Sequence, residues 1–261
     1  MINQLFLFRF LVSLAIIILI IRGPYNEFSV YSFELFNGNS AISAIFLPSK
    51  YIIITLLLAQ FANKKLCPLF SSLAAVIFLV FNWYAANSSP SEMYNYNTHL
   101  NIFLIAIAIG DIFMAMHRDV ERYVFSFSRF YVAVFYFQSG ITKIIHAGFE
   151  WFDGRTAWVF SMEMGTPLGK YMTNYPELFA IGSIAIVLFE VMFLPLYLIR
   201  FHVEKLVIGA FMLHMSVFII MNIAFWHMWM IFPALFYREL SDYIRSWIKR
   251  DRKSPKMIVL S

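Results

Sequence analysis

Long apolar runs constrain the fold of this chain more than any other feature. A membrane-spanning helix needs about 17–25 predominantly apolar residues. Runs of about this length occupy residues 5–21, 42–61, 66–84, 100–116, 123–143 and 178–199, and a longer apolar tract covers residues 205–237. Because 61% of the 261 residues are hydrophobic and only 13% are charged, the chain is too apolar for a soluble domain of this size. We therefore predict an all-α, polytopic membrane helix bundle.

The apolar tract at residues 205–237 is too long for one span. As a single helix it would measure on the order of 50 Å, which exceeds the roughly 30 Å hydrocarbon core. Its middle, from Met221-Asn222 to Trp226-His227, offers a polar and aromatic place to turn. We therefore expect two short spans here and about eight transmembrane helices in total.

The loops between the predicted spans alternate in charge. Basic residues lie in every second loop, at Lys64 and Lys65, at Arg118 and Arg122, and at Arg200 and Lys205. The loops at residues 22–41 and 85–98 carry Glu27, Glu34 and Glu92 and only one arginine. By the positive-inside rule, these two loops and a longer structured loop at 144–177 face outward, and both termini are cytoplasmic.

The segment after the last span has the pattern of an amphipathic helix. Apolar residues recur at helical spacing at Leu240, Tyr243, Ile244, Trp247 and Ile248, and basic residues fill the other side. This pattern predicts an interfacial helix held against anionic lipid. We divide the chain into a transmembrane domain, residues 1–237, and a basic amphipathic cytoplasmic tail, residues 238–261. The tail accounts for much of the net charge of +5, so no nucleic-acid partner is needed to explain that charge.

Lys143 ends the predicted span 123–143 and is the leading candidate for chemistry. An ionisable group in an apolar span costs several kcal/mol unless it snorkels, pairs or faces a wet cavity. One interpretation is that Lys143 snorkels to the outer headgroups without further function. The other is that Lys143 lies in an outward-facing cavity, which it shares with His99 at the outer end of the preceding span.

A set of short motifs around Lys143 carries a family resemblance. The run Tyr136-Phe137-x-x-Gly140-x-x-Lys143, followed by Trp151-x-x-Gly154, resembles the signature of the membrane domain of vitamin K-dependent γ-carboxylase and of its bacterial relatives, the horizontally transferred transmembrane (HTTM) family. Three further motifs in residues 95–237 are similar to the family pattern: Asn97-Thr98-His99, Glu190, and His214 followed by Asn222-Ile223-x-Phe225.

The resemblance implies roles for five residues. Lys143 would be the catalytic base that deprotonates a reduced quinone of the vitamin K or menaquinone type, with His99 assisting it. Trp151, Gly154 and His214 would contribute to cofactor binding, with the Trp151–Gly154 loop as a lid. Alternative interpretations are an interfacial role for His99, a helix–helix hydrogen bond for His214, interfacial packing for Trp151 and a backbone role for Gly154.

The chain also departs from the animal carboxylase. We expect it to lack the large lumenal domain of that enzyme, Thr142 replaces a second basic residue, and Thr98 interrupts the Asn-His pair. In this respect it resembles more closely the compact bacterial members, including the membrane component implicated in maturing a sporulation-delaying peptide toxin. The resemblance thus implies a quinone-linked enzyme that modifies or matures a secreted peptide or lipid-proximal substrate together with a separate partner protein. The alternative is a non-enzymatic carrier, immunity or scaffold protein for a secreted peptide, in which Lys143 binds an anionic group.

Three other charged residues lie within predicted spans. Counting from the predicted ends places Asp111, Arg129 and Glu190 in the inner half of the bilayer. We expect Arg129 to neutralise one or both carboxylates and so hold the spans together. A proton relay through the same residues is the alternative.

The histidines and the single cysteine do not predict a metal site. No pair among His99, His146, His214 and His227 has the i, i+3 or i, i+4 spacing that places two ligands on one helix face. Cys67 is the only cysteine, so we predict no disulfide and no multi-cysteine site.

Overall fold

The computed structural model describes residues 4–22, 40–63, 65–88, 95–114 and 120–251, which contain eleven α-helices, one 3₁₀ turn and no strand. The predicted all-α class is confirmed. The chain forms two compact units, residues 1–128 and 129–261, and their boundary lies inside one helix. The predicted outward loops at 22–41 and 85–98 lie largely outside the described residues, as do Lys64, Arg118 and the tail beyond Asp251.

The first unit is built from four helices and the start of a fifth. They are α1 (Gln4–Arg22), α2 (Ser40–Ala62), α3 (Cys67–Ser88), α4 (Asn95–Met114) and the first part of α5 (Val120–Ala147). Helix α3 packs against α2 and α4, and α1 packs against α4. The buried residues of α1 recur at helical spacing, at Phe8, Val12, Ala15 and Leu19, because a helix presents one face to its neighbours every three to four residues.

Asp111 is neutralised within this first unit. It forms an ion pair with Arg9 of α1, and it accepts a hydrogen bond of 2.8 Å from Ser71 Oγ. The second guanidinium nitrogen of Arg9 lies 3.1 Å from Cys67 Sγ. These contacts correct the expectation that Arg129 neutralises Asp111, and they tie α1, α3 and α4 together.

The second unit contains the remainder of α5 and six further helices. After α5 come a 3₁₀ turn (Gly148–Trp151), α6 (Arg155–Met164), α7 (Pro167–Met172), α8 (Pro176–Leu198), α9 (Val203–Met221), α10 (Trp226–Leu235) and α11 (Tyr237–Asp251). Helix α9 packs against α6, α7 and α8. The 3₁₀ turn, α6 and α7 make up most of residues 144–177, so this segment is structured. The predicted break in the long apolar tract is present between Met221 and Trp226, where Asn222 has φ of +59°.

Arg129 and the amphipathic tail helix meet in this second unit. The Arg129 guanidinium donates to Glu239 Oε1 over 2.7 Å and to the backbone carbonyl of Leu235 over 2.8 Å. Arg129 therefore pairs with a residue at the start of α11, whereas Glu190 pairs with Lys143, which corrects the expectation that Arg129 neutralises Glu190. Further along α11, Ile244 and Trp247 are exposed.

Three of the described helices are long and apolar enough to cross a membrane: residues Gln4–Ile21 of α1, all of α8 and all of α9. Shorter apolar helical segments occupy Pro48–Ala62, Cys67–Asn82 and Thr98–Met114. The helix content and these segments agree with a membrane protein. The count of eight spans and the orientation of the termini stay predictions.

Candidate functional site

The site is organised by a close approach between α5 and α8. Tyr136, Ser139, Gly140 and Lys143 follow at i, i+3, i+4 and i+7, so they share one face of α5. A Cβ atom at Gly140 would lie 2.8 Å from a side-chain carbon of Val191 and 3.0 Å from Glu190 Cβ. Only a glycine allows the two helices to meet at this distance. The approach places Glu190 beside the polar residues of α5.

Lys143 and Glu190 form a two-fold contact at this crossing. The ammonium nitrogen Nζ lies 2.7 Å from Glu190 Oε1 and 2.6 Å from Oε2. Ser139 Oγ lies 2.8 Å from the same nitrogen and 3.2 Å from Oε1. The side chain of Lys143 is 22% exposed, whereas that of Glu190 is only 8% exposed. The lysine is therefore the accessible member of the pair and the carboxylate is the buried one.

The loop after α5 brings Trp151 to the lysine. The ammonium lies 5.6 Å from the centre of the Trp151 ring, within the range of a cation–π interaction. The indole nitrogen of Trp151 is buried and has no hydrogen-bond partner among the described residues. It is a donor that a bound molecule could use.

Gly154 fixes the position of this loop through its backbone. It directly precedes the first residue of α6 and has a φ of +75°, a backbone conformation that residues other than glycine rarely adopt. A Cβ atom there would overlap the backbone of Phe179 and Ala180 in α8. Gly154 thus lets the loop lie directly on α8, which agrees with the backbone interpretation of this residue.

A second polar pair lies on the same face of α5, one turn from Gly140. The hydroxyl of Tyr136 lies 2.6 Å from His214 Nε2 on α9, and its ring stacks on Phe193 at 4.5 Å. The Nδ1 atom of His214 is buried and lacks a hydrogen-bond partner in the described part of the chain. This contact is a hydrogen bond between two helices, which is what the alternative interpretation of His214 expected. A role of His214 in cofactor binding stays a prediction.

His99 belongs to the first unit, whereas the other four predicted site residues belong to the second. It is buried in α4, and its cooperation with Lys143 stays a prediction. Within the described residues, no group of three His, Cys, Asp or Glu side chains could hold a metal ion.

The sequence interpretation missed the partners of Lys143. Ser139 lies four residues before the lysine, and this i, i+4 spacing could have indicated their contact. Glu190 is the only charged residue of α8 beyond its first turn, so it needs a partner on a neighbouring helix.

No family model, no curated protein and no solved structure matches this chain.

Proposed function

We propose that this chain is a membrane enzyme in which Lys143 removes a proton from a membrane-borne substrate and Glu190 exchanges protons with Lys143. The observation that carries this proposal is the asymmetric pair: both carboxylate oxygens lie within 2.7 Å of Nζ, yet the lysine side chain is 22% exposed and the glutamate 8%. A substrate at this surface meets the amine and not the carboxylate.

The pair provides a route to a neutral amine. In the resting ion pair Lys143 carries the proton and cannot act as a base. Transfer of that proton to Glu190 gives an uncharged amine and an uncharged carboxylic acid, without a change in net charge. The transfer leaves no charge at the pair, and this removes the desolvation cost of keeping an ion pair away from water. The amine then takes a proton from the substrate and becomes an ammonium beside the substrate anion. Loss of the proton from Glu190 resets the pair.

The substrate class that the family resemblance implies is a reduced quinone of the vitamin K or menaquinone type. The residues at the site fit such a molecule, because Trp151 offers an aromatic ring and a buried indole donor without a partner. A bound reduced quinone would supply the electrons for a reaction with oxygen. Lys143 would hold the proton taken from its hydroxyl group, and Trp151 would orient the ring. Further substrates are a secreted peptide or a lipid-proximal group, reached with a separate partner protein.

The proposed arrangement has eight spans, an outward-facing site and both termini in the cytoplasm. Support comes from the alternation of basic loops and from the three long and three shorter apolar helical segments. A reporter that is active only outside the cytoplasm, fused after Ser261, should give no signal. A strong signal would contradict this topology.

The alternative is a non-enzymatic carrier, immunity or scaffold protein in which Lys143 binds an anionic group. An incoming anion would have to displace Glu190, which already contacts the ammonium through both oxygens. Neutralisation by Glu190 thus favours the acid–base proposal over anion binding.

Oxygen consumption by the purified protein in lipid, with a reduced menaquinone and with spontaneous oxidation subtracted, tests the function. The wild type should consume oxygen, and Lys143→Ala should not. Lys143→Arg should also be inactive, because a guanidinium keeps its proton at ordinary pH. The exposed Lys205 provides a matched control, and Lys205→Arg should retain the wild-type rate. Uptake that is unchanged in a folded Lys143→Ala variant, or retained in Lys143→Arg, would contradict Lys143 as the base.

A further inference from the structure

An apolar groove of about 470 Å³ lies between α8 and α9. This volume is within the range of roughly 300–1,000 Å³ that is typical of ligand sites. On α8 the lining runs from Leu178 to Phe189, a length of about 16 Å at 1.5 Å per residue. Gly182 lies midway along it, and a Cβ atom there would meet no other atom within 4 Å. The missing side chain of this glycine leaves part of the groove open.

The lining offers almost no hydrogen-bonding groups. The hydroxyl of Ser216 is already bonded to the backbone carbonyl of Leu213 over 2.8 Å, and Ser183 is the other hydroxyl-bearing residue of the lining. The occupant at this depth must therefore be apolar. Both walls belong to helices that are long and apolar enough to cross a membrane, and Ile181 and Met212 beside the groove are exposed.

The size of the groove argues for a narrow chain and against a partner helix. One turn of an α-helix with its side chains, about 10 Å wide and 5.4 Å long, occupies about 420 Å³. The groove would hold one such turn, whereas a partner span has five or more. A hydrocarbon chain needs no backbone hydrogen bonds and can follow the groove along its length.

The residues next in sequence to one end of the groove are of the types that suit a lipid headgroup. Met172 at the end of α7 lines this end, near Leu178. The neighbouring Lys170 is exposed, and the exposed rings of Tyr171 and Tyr175 lie with their centres 6.0 Å apart. Tyrosine is enriched at headgroup depth, and a lysine ammonium attracts a phosphate.

We propose that the groove binds one acyl chain of a membrane phospholipid, with the phosphate of that lipid at Lys170. This site is separate from the Lys143–Glu190 pair and does not depend on its chemistry. A failure of the lipid proposal would leave the proposed function untouched, and the reverse also holds.

Photolabelling tests the proposal. The full chain is reconstituted in vesicles of phosphatidylethanolamine and phosphatidylglycerol that contain a small share of phospholipid with a diazirine in its acyl chain. After illumination, labelled peptides are located by mass spectrometry. In the wild type, the residues that line the groove should be labelled more strongly than those on the open face around Leu188. This difference in labelling should remain after unlabelled lipid is exchanged into the vesicles. Equal labelling of the two faces, or crosslinks from the groove to a protein segment, would overturn the proposal.

A groove-filling variant gives an independent result. Gly182→Trp places a large ring in the groove, and Ile181→Trp places the same ring on the exposed neighbouring position as the control. The ring occupies space in the groove that the acyl chain needs, because Gly182 lines the groove and has open space around it. Labelling of the groove should therefore fall to the level of the open face in Gly182→Trp and stay unchanged in Ile181→Trp. Labelling of the groove at the wild-type level in a folded Gly182→Trp variant would overturn the proposal. If that variant does not fold, the labelling pattern of the wild type is the test of the proposal.

Discussion

Replacing Lys143 should lower the free energy of unfolding more than replacing Glu190, because the two members of the pair are unequally buried. Lys143→Met leaves a carboxylate that is 8% exposed beside the hydroxyl of Ser139, and breaking a buried pair in this way costs about 3–5 kcal/mol. Glu190→Gln leaves an ammonium that is 22% exposed on a flexible stem that can reach water. Its cost should be smaller, about 1–2 kcal/mol. In the double variant no buried charge remains, so its cost should fall below the sum of the single costs by about 1–3 kcal/mol.

The free energy of unfolding can be measured by titrating the purified variants in mixed micelles with a denaturing detergent and following helix content by circular dichroism. The control is the pair of Arg155 and Asp153, whose charged atoms are 3.6 Å apart and whose side chains are 75% and 41% exposed. An exposed pair of this kind is worth about 0–1 kcal/mol, so Asp153→Asn should have little effect. Equal small costs for the two site variants, or strict additivity in the double variant, would refute the buried pair.

Three backbone and hydrogen-bond predictions follow from the same second unit, all measured by the same unfolding titration. Gly140→Ala should cost about 1–3 kcal/mol because its Cβ meets α8 at 2.8 Å. Gly182→Ala, with open space around it, should be neutral or stabilising by up to about 1 kcal/mol. Equal effects of the two substitutions would contradict the close approach of α5 to α8 at Gly140. Gly154→Ala should destabilise the protein more than Gly148→Ala, since both residues have positive φ but only Gly154 touches α8. Equal losses of stability would contradict a steric contact between Gly154 and α8. Tyr136→Phe leaves a buried histidine without its 2.6 Å partner and should cost about 1–3 kcal/mol, and a neutral result would show that this bond is not formed.

Much of the helical layout could be predicted from apolar run lengths alone. The predicted run 178–199 corresponds to α8, and the turn near Asn222 was found because a 33-residue apolar tract exceeds the bilayer. Lys143 and Trp151, which the motif contains eight residues apart, lie together in the structure, although the motif does not specify that contact. These features are local in sequence, or are set by the thickness of the membrane.

The pairing of charges could not be predicted in the same way. The expected depth of a charged residue in the bilayer depends on where its helix ends. The predicted run 123–143 puts Lys143 at the end of its helix. In the structure α5 continues to Ala147, so Lys143 lies a full turn inside and reaches Glu190. Arg129 lies 14 residues earlier, about 21 Å along the helix, and pairs with Glu239 instead. Which charges meet depends on the helix crossing at Gly140, and run lengths carry no information about that crossing.

The contact between Lys143 and Glu190 can be measured directly by solid-state NMR in lipid bilayers. The protein would carry ¹⁵N in its lysine side chains and ¹³C in its glutamate carboxyl groups, and dipolar couplings would report nitrogen–carbon distances. Because Nζ lies 2.6 Å from Glu190 Oε2, we expect a strong coupling that Glu190→Gln and Lys143→Arg each remove. No strong coupling in the folded wild type, or one that survives either substitution, would contradict the acid–base pair on which the proposed function rests.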